Sequence, residues 1–280
     1  MIHSTPSCVK LIERIEFMAW PFQTLGNPSH PALCFLHGFL GQREDWLPIA
    51  AALSDQFFCI LPDLPGHGEN PLPPSPLSFD LLNEGLLALF DCLTLSQVHL
   101  VGYSMGGRAA LYFAVHYPAR VTRLTLESAS PGITDLAERR ARAEEDTRRA
   151  EVILTAGIDP FVEHWYTLPL FRSLANHPHA RAQIIARRKR NNPAGIAQAM
   201  RDLSPGRQPS VWDQLPGLEM PVLVVVGALD GKYVSVGKQM ATSLPHARLV
   251  IVPDAGHTVH LEQPASFISI LLDFHSLVQS

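Results

Sequence analysis

The chain has 280 residues, of which 46% are hydrophobic and 17% are charged, and its formal net charge at pH 7 is -4. This balance is typical of a globular enzyme and gives no sign of a nucleic-acid partner. The four cysteines lack metal-ligand spacing, no apolar run reaches membrane-spanning length, and early charged residues interrupt any signal peptide. We therefore expect a cytoplasmic protein without a metal centre or membrane insertion.

The first half of the chain alternates between strand and helix patterns. Residues 1–31 form a lead-in, in which residues 9–18 are predicted as an edge strand. Beyond it, compact apolar runs predict buried strands and amphipathic runs predict helices. The predicted strands cover residues 32–36, 57–61, the stretch from 98 to the following turn, and 121–127, and the predicted helices cover residues 46–53 and 80–93.

The region after residue 130 changes character. Residues 131–214 lack strand patterns and hold 12 of the 18 arginines, which predicts an inserted helical cap. Strand patterns return at residues 221–227 and 249–252. Because the strands are apolar without strict alternation and are joined through helices, we predict an α/β protein with a mostly parallel sheet and helices on both faces. The predicted core is residues 1–130 and 215–280; its last helices cover residues 236–244 and 264–278.

Residues 99–108 contain the most informative motif of the chain. A β-branched, apolar run passes through the Gly-x-Ser-x-Gly motif of residues 102–106 and then becomes a helical pattern. Strand, sharp turn and helix in this order form a nucleophile elbow, which leaves a serine side chain exposed at the sheet edge. Ser104 is therefore predicted to be an activated serine.

An activated serine needs a histidine to take its proton and a carboxylate to orient that histidine. Asp230 directly follows the strand at residues 221–227, and His257 follows the strand at 249–252. The order serine, aspartate, histidine is the one that α/β-hydrolases use. We predict Ser104, Asp230 and His257 as the catalytic triad, and the backbone N–H groups of Phe39 and Met105 as the oxyanion hole.

Several motifs in both the core and the arginine-rich region resemble the MenH family, the 2-succinyl-6-hydroxy-2,4-cyclohexadiene-1-carboxylate synthases of menaquinone and phylloquinone biosynthesis. The family belongs to the α/β-hydrolase superfamily, and the resemblance covers nearly the whole chain. The motifs occupy residues 102–108, 127–132, 137–142, 163–171, 187–192 and 255–260.

This resemblance implies a lyase that needs no cofactor. Its substrate, 2-succinyl-5-enolpyruvyl-6-hydroxy-3-cyclohexene-1-carboxylate, is a small molecule with three carboxylates, and the enzyme removes a proton and expels pyruvate. The triad serine would act as a base, and the oxyanion hole would hold the enolate of the succinyl ketone. The family positions that would contact substrate are Arg108, Arg142, Arg188, Tyr103 and Trp165.

Alternatives remain for both the residues and the function. Arg142 has acidic neighbours at helical spacing that could form ordinary ion pairs with it, and the neighbours Arg187 and Arg190 compete with Arg188. A serine esterase, thioesterase or carbon–carbon-bond hydrolase would use the same triad. A small-molecule receptor is a further alternative, which the basic composition of the predicted cap disfavours. The sequence does not indicate protein partners.

Overall fold

A seven-stranded sheet runs through the computed structural model, which describes residues 20–72 and 76–276. In sheet order the strands are β1-β3-β2-β4-β5-β6-β7; β1 is antiparallel to β3, and the others are parallel. In chain order they are β1 (Phe22–Leu25), β2 (Ala32–Leu36), β3 (Phe58–Pro62), β4 (Val98–Tyr103), β5 (Val121–Glu127), β6 (Val222–Gly227) and β7 (Ala247–Val252).

Helices connect these strands and cover both faces of the sheet. In chain order they are α1 (Leu47–Leu53), α2 (Phe79–Cys92), α3 (Met105–His116), α4 (Leu136–Ala156), α5 (Ile158–Trp165), α6 (Pro178–Arg188), α7 (Pro193–Asp202), α8 (Gly231–Ser243), α9 (Val259–Glu262) and α10 (Pro264–His275). Short 3-10 turns occupy Arg43–Asp45, Pro118–Arg120, Pro169–Asn176 and Trp212–Gly217.

The strands are apolar on both faces because each face is covered by helices. Successive side chains of a strand point to opposite faces, so Cys34 and Leu36 of β2 join one core cluster, with α2 and α3, while Leu33 and Phe35 join the other, with α1 and α10. Every residue of β2, β3 and β6 is buried. The parallel, doubly covered sheet predicted from the apolar runs is therefore confirmed.

The structure shifts some predicted boundaries. Strand β3 begins one residue later than predicted, β7 begins two residues earlier, and α8 begins at Gly231 instead of residue 236. The edge strand β1 was not predicted; it lies after the predicted strand at residues 9–18, which falls outside the described residues, as do the last residues of the helix predicted over 264–278. The predicted ends of strands and helices are less accurate than the elements themselves, because the ends depend on packing and capping as well as composition.

Between β5 and β6 the chain forms α4, α5, α6 and α7 before returning to the sheet. Their apolar faces build a third core cluster, which includes Ile153, Phe161 and Trp165 and also takes in Leu40 from the loop after β2. We refer to residues 136–202 as the helical segment. It packs above the carboxyl end of β2, where catalytic groups gather in sheets of this type.

Candidate active site

Ser104 sits in a strained turn between β4 and α3. Its φ of 50° and ψ of −108° lie in a region that non-glycine residues rarely adopt. The turn is tight enough that a Cβ on Gly102 would lie 2.5 Å from the carbonyl oxygen of Gly106, and one on Gly106 would clash with the carbonyl oxygen of Leu36. The two glycines of the motif are therefore required by the close approach of backbone, as a nucleophile elbow demands.

The structure brings Ser104, His257 and Asp230 together as a hydrogen-bonded chain. His257 Nε2 lies 3.1 Å from Ser104 Oγ, and His257 Nδ1 lies 2.7 Å from Asp230 Oδ2. The second oxygen of Asp230 accepts the backbone N–H of Tyr233 at 3.3 Å, and the Tyr233 ring packs edge-on against His257 with 4.6 Å between the ring centroids. The carboxylate is thus oriented toward Nδ1, which leaves Nε2 to exchange a proton with the serine.

The two groups predicted for the oxyanion hole flank the serine. Met105 is the first residue of α3, where backbone N–H groups have no partner within the helix. Phe39 follows the Gly38 turn, and both Phe39 and Met105 line the same cavity as Ser104. A Cβ on Gly38 would lie 2.5 Å from the Tyr103 ring, so this turn is held directly against the end of β4.

The cavity at Ser104 has a volume of about 130 Å³ and lies between the sheet edge and the helical segment. It adjoins a second cavity of about 340 Å³, and the two share five lining residues. Three of these five are cationic. The shared residues are Arg108, Arg142, Pro205, Lys232 and Tyr233.

Arg108 is a buried cation that pairs with no carboxylate of the described chain. Its side chain donates from Nη1 to the carbonyl oxygen of Leu203 at 2.9 Å and to Gln208 Oε1 at 3.3 Å, and its guanidinium lies 5.6 Å from the centre of the Phe79 ring. Burial lowers the pKa of Arg108 to about 10, so it stays charged at pH 7. The Nε and Nη2 edge of the guanidinium remains available for a carboxylate, which it could bind through two parallel hydrogen bonds.

Arg142 lines the cavity and also forms an ion pair. Its Nε donates to Asp146 Oδ2 at 2.7 Å, and Asp146, which is fully buried, also accepts from Ser204 at 2.7 Å and from Arg149 at 2.9 Å. The ion pair expected from helical spacing is present, and it uses only Nε of Arg142. Its two terminal nitrogens form no hydrogen bond with a residue that the structure describes, so they can bind a ligand.

Arg188, which the family motif places near substrate, lies elsewhere in this structure. Its guanidinium binds Asp45 through both carboxylate oxygens, at 2.9 and 2.7 Å, and donates to the Tyr166 hydroxyl at 3.2 Å. Burial alone would raise the pKa of Asp45, but the charge and hydrogen bonds of Arg188, together with the charge of Arg187, outweigh it and hold that pKa below its ordinary value. The pair joins the turn after β2 to the end of α6, and Arg188 does not line the Ser104 cavity.

The two predicted aromatic residues occupy different places. Trp165 lines the cavity and packs edge-on against Phe39, with 5.3 Å between the ring centroids. Tyr103 is buried beneath the site, with its ring 5.5 Å from that of His257 and 4.8 Å from that of His260. Trp165 can therefore contact a ligand, whereas Tyr103 buttresses the histidine and the Gly38 turn.

Several lining residues were not predicted from the sequence, and the two that lie beside the triad are Lys232 and Tyr233. Both lie in the first turn of α8, directly after Asp230, so the position of the predicted triad carboxylate was the signal that could have found them. Lys232 is exposed and forms no ion pair with a described residue. The cavity therefore contains a third cation in addition to the two arginines.

Within residues 20–72 and 76–276, no three His, Cys, Asp or Glu side chains are grouped so as to hold a metal ion. No helix in the same ranges combines the length and apolarity needed to cross a membrane.

Comparisons with known proteins show the family to which the chain belongs. The family described as "alpha/beta hydrolase fold" matches residues 31–264. A Serratia proteamaculans (strain 568) 2-succinyl-6-hydroxy-2,4-cyclohexadiene-1-carboxylate synthase is 34% identical over 89% of this chain and 94% of its own length. This chain belongs to the same synthase family. A Bacillus subtilis (strain 168) protein provisionally named as such a synthase is 39% identical, over 89% of this chain and 91% of its own length.

This chain also resembles a solved structure of the synthase family in its three-dimensional fold. The structure of MenH from S. aureus has a TM-score of 0.88 with 34% sequence identity, covering 91% of this chain and 97% of that one. The resemblance of the motifs to the synthase family is therefore confirmed over nearly the whole chain. The family is one of enzymes built on the α/β-hydrolase fold.

Proposed function

We propose that this chain eliminates pyruvate from 2-succinyl-5-enolpyruvyl-6-hydroxy-3-cyclohexene-1-carboxylate and so forms 2-succinyl-6-hydroxy-2,4-cyclohexadiene-1-carboxylate. Ser104, His257 and Asp230 together act as the base. The product would serve menaquinone or phylloquinone biosynthesis, as in the family that the chain belongs to.

The observation that carries this proposal is the buried, unpaired guanidinium of Arg108 beside the serine. Keeping a cation in a buried site without a counter-charge is unfavourable, so the arrangement is suited to a ligand that supplies the negative charge. Arg142 presents two free nitrogens to the same cavity. A neutral ester would leave Arg108 without a counter-charge and the terminal nitrogens of Arg142 without an acceptor, whereas a polycarboxylate would satisfy both.

The reaction balances without water. As Ser104 Oγ takes the proton from C2, which lies next to the succinyl carbonyl, its own proton passes to His257 Nε2. The electrons of the C–H bond form a C2–C3 double bond, those of the ring double bond move to C4–C5, and the C5–O bond breaks. The departing enolpyruvate recovers a proton from His257 and becomes pyruvate. Asp230 stabilises the transient imidazolium.

The oxyanion hole and the helical segment would stabilise the reacting substrate and shield it from water. The N–H groups of Phe39 and Met105 would donate to the enolate oxygen that develops on the succinyl ketone. We infer that the helical segment serves as a cap, because Arg142 and Trp165 reach the cavity from α4 and α5 and cover the serine. A covered site excludes water, which favours elimination over hydrolysis.

The test is to generate the substrate in place with the preceding synthase and to follow pyruvate and diene absorbance together. A p-nitrophenyl ester is assayed in parallel, and Ser104→Ala serves as the inactive control. The proposal expects rapid, equal formation of pyruvate and diene, negligible ester cleavage, and loss of turnover in Ser104→Ala. Fast ester cleavage without pyruvate would reject it in favour of a hydrolase.

A further inference from the structure

Resting on the proposed function, we propose that Lys232 binds the third carboxylate of the substrate, the position that the family motif assigns to Arg188. Lys232 follows the triad carboxylate by two residues and lines both the Ser104 cavity and the adjoining cavity of about 340 Å³. It also lines a third cavity of about 670 Å³, which Asp230 lines as well. Its side chain therefore stands where the site opens outward.

The charges around the Ser104 cavity match a tricarboxylate. Three cationic side chains, Arg108, Arg142 and Lys232, line this cavity together with one carboxylate, Asp146. The cavity therefore offers one cationic group for each of the three carboxylates of the substrate. Without Lys232 the site would hold one cation fewer than the substrate has carboxylates.

Arg188 is not free to supply the missing charge. Both of its terminal nitrogens bind the carboxylate of Asp45, and its Nε donates to Tyr166. Releasing it would leave Asp45 buried beside Arg187 alone and would break a buried ion pair, which is strongly destabilising. Lys232 has no such bond to break, since it pairs with no described residue, and its flexible stem lets its ammonium follow the ligand.

The position of Lys232 also predicts how it contributes. An exposed side chain that holds a carboxylate remote from the reacting carbon stabilises the bound substrate and the transition state alike, so its loss raises KM and leaves kcat unchanged. The expected rise in KM for Lys232→Met is about tenfold, equivalent to about 1.4 kcal/mol. A charge that also attracts the substrate from solution should make kcat/KM fall with added salt.

The experiment compares wild type with Lys232→Met, Lys232→Arg and Lys238→Met, measuring kcat and KM for pyruvate release at low and high salt. Lys238 is an exposed lysine of the same helix that lines none of the three cavities, so it controls for net charge. We expect Lys232→Met to raise KM about tenfold and weaken the salt dependence, Lys232→Arg to restore KM to within about threefold, and Lys238→Met to match wild type.

Two results would overturn the inference while leaving the proposed function intact. One is a KM for Lys232→Met equal to that of Lys238→Met. The other is a lower kcat at unchanged KM, which would mean that Lys232 acts through Asp230 instead of on the ligand. Inactive wild-type protein would instead reject the proposed function, and the role of Lys232 with it.

Discussion

Replacing Arg108 with glutamine tests the carboxylate-binding site most directly. The substitution removes the buried charge while keeping a polar side chain that can still contact Leu203 or Gln208. Removing one partner of a buried, hydrogen-bonded charge pair costs about 2–5 kcal/mol. Because about 1.4 kcal/mol corresponds to a factor of ten in rate, we expect kcat/KM to fall by about a thousandfold.

Arg108→Lys separates charge from geometry. Lysine keeps the positive charge, but it cannot donate to Leu203 and still offer two parallel N–H groups to a carboxylate. The expected loss is that of one charge-assisted hydrogen bond, about 1.5–3 kcal/mol, or about ten- to a hundredfold in kcat/KM. The lysine variant should therefore fall between wild type and Arg108→Gln.

The assay is pyruvate release under initial-rate conditions, with thermal unfolding measured on each variant to show that it is folded. Arg140→Gln is the control, since Arg140 lies exposed on α4 and does not line the cavity. Equal kcat/KM for Arg108→Gln and Arg140→Gln would refute the assignment of a carboxylate to Arg108. Full activity in Arg108→Lys would refute two-point binding.

Three other perturbations test the Arg142 ion pair, the nucleophile elbow and a histidine near the start of β4. Asp146→Asn removes the carboxylate that holds Arg142, so we expect a higher KM and a loss of about 3–5 kcal/mol in denaturant unfolding; unchanged stability would contradict the buried pair. Gly106→Ala should distort the elbow and abolish activity in the pyruvate assay, and an active variant would contradict the tight turn. Burial and the charge of Arg123 lower the pKa of His99 to about 4, so stability should fall as pH drops from about 6.5 toward 4, where the unfolded chain binds a proton that the folded chain refuses. The fall attributable to this group is up to about 3 kcal/mol, and His99→Gln should flatten it in pH-dependent unfolding.

The triad geometry could be predicted because it depends on local patterns and one topological rule. Ser104 and His257 are 153 residues apart in sequence, yet each follows an apolar strand, and parallel strands end at one edge of the sheet. Arg108 was accessible by the same reasoning, since a residue four positions along a helix faces the same side as the first. No property of distant packing was needed for these placements.

The partners of the cap arginines could not be predicted, because they depend on how the helical segment meets the rest of the chain. Asp45 and Arg188 are 143 residues apart, and no periodicity relates them. Likewise, helical spacing indicated that Arg142 could pair with Asp146, but not that Asp146 would be fully buried, which requires Ser204 from beyond α7. Sequence patterns predict the helices and strands, whereas these contacts form only when the helices and strands pack together.

The ion pair between Asp45 and Arg188 limits which relatives could donate a helical segment to this protein in a chimera. One partner lies in the turn after β2 and the other at the end of α6, so a chimera that imports a foreign helical segment divides the pair. If the donor lacks an arginine at the matching position, the recipient keeps a buried carboxylate with a weakened counter-charge. Recombination across this junction should therefore succeed when both positions are inherited from one parent.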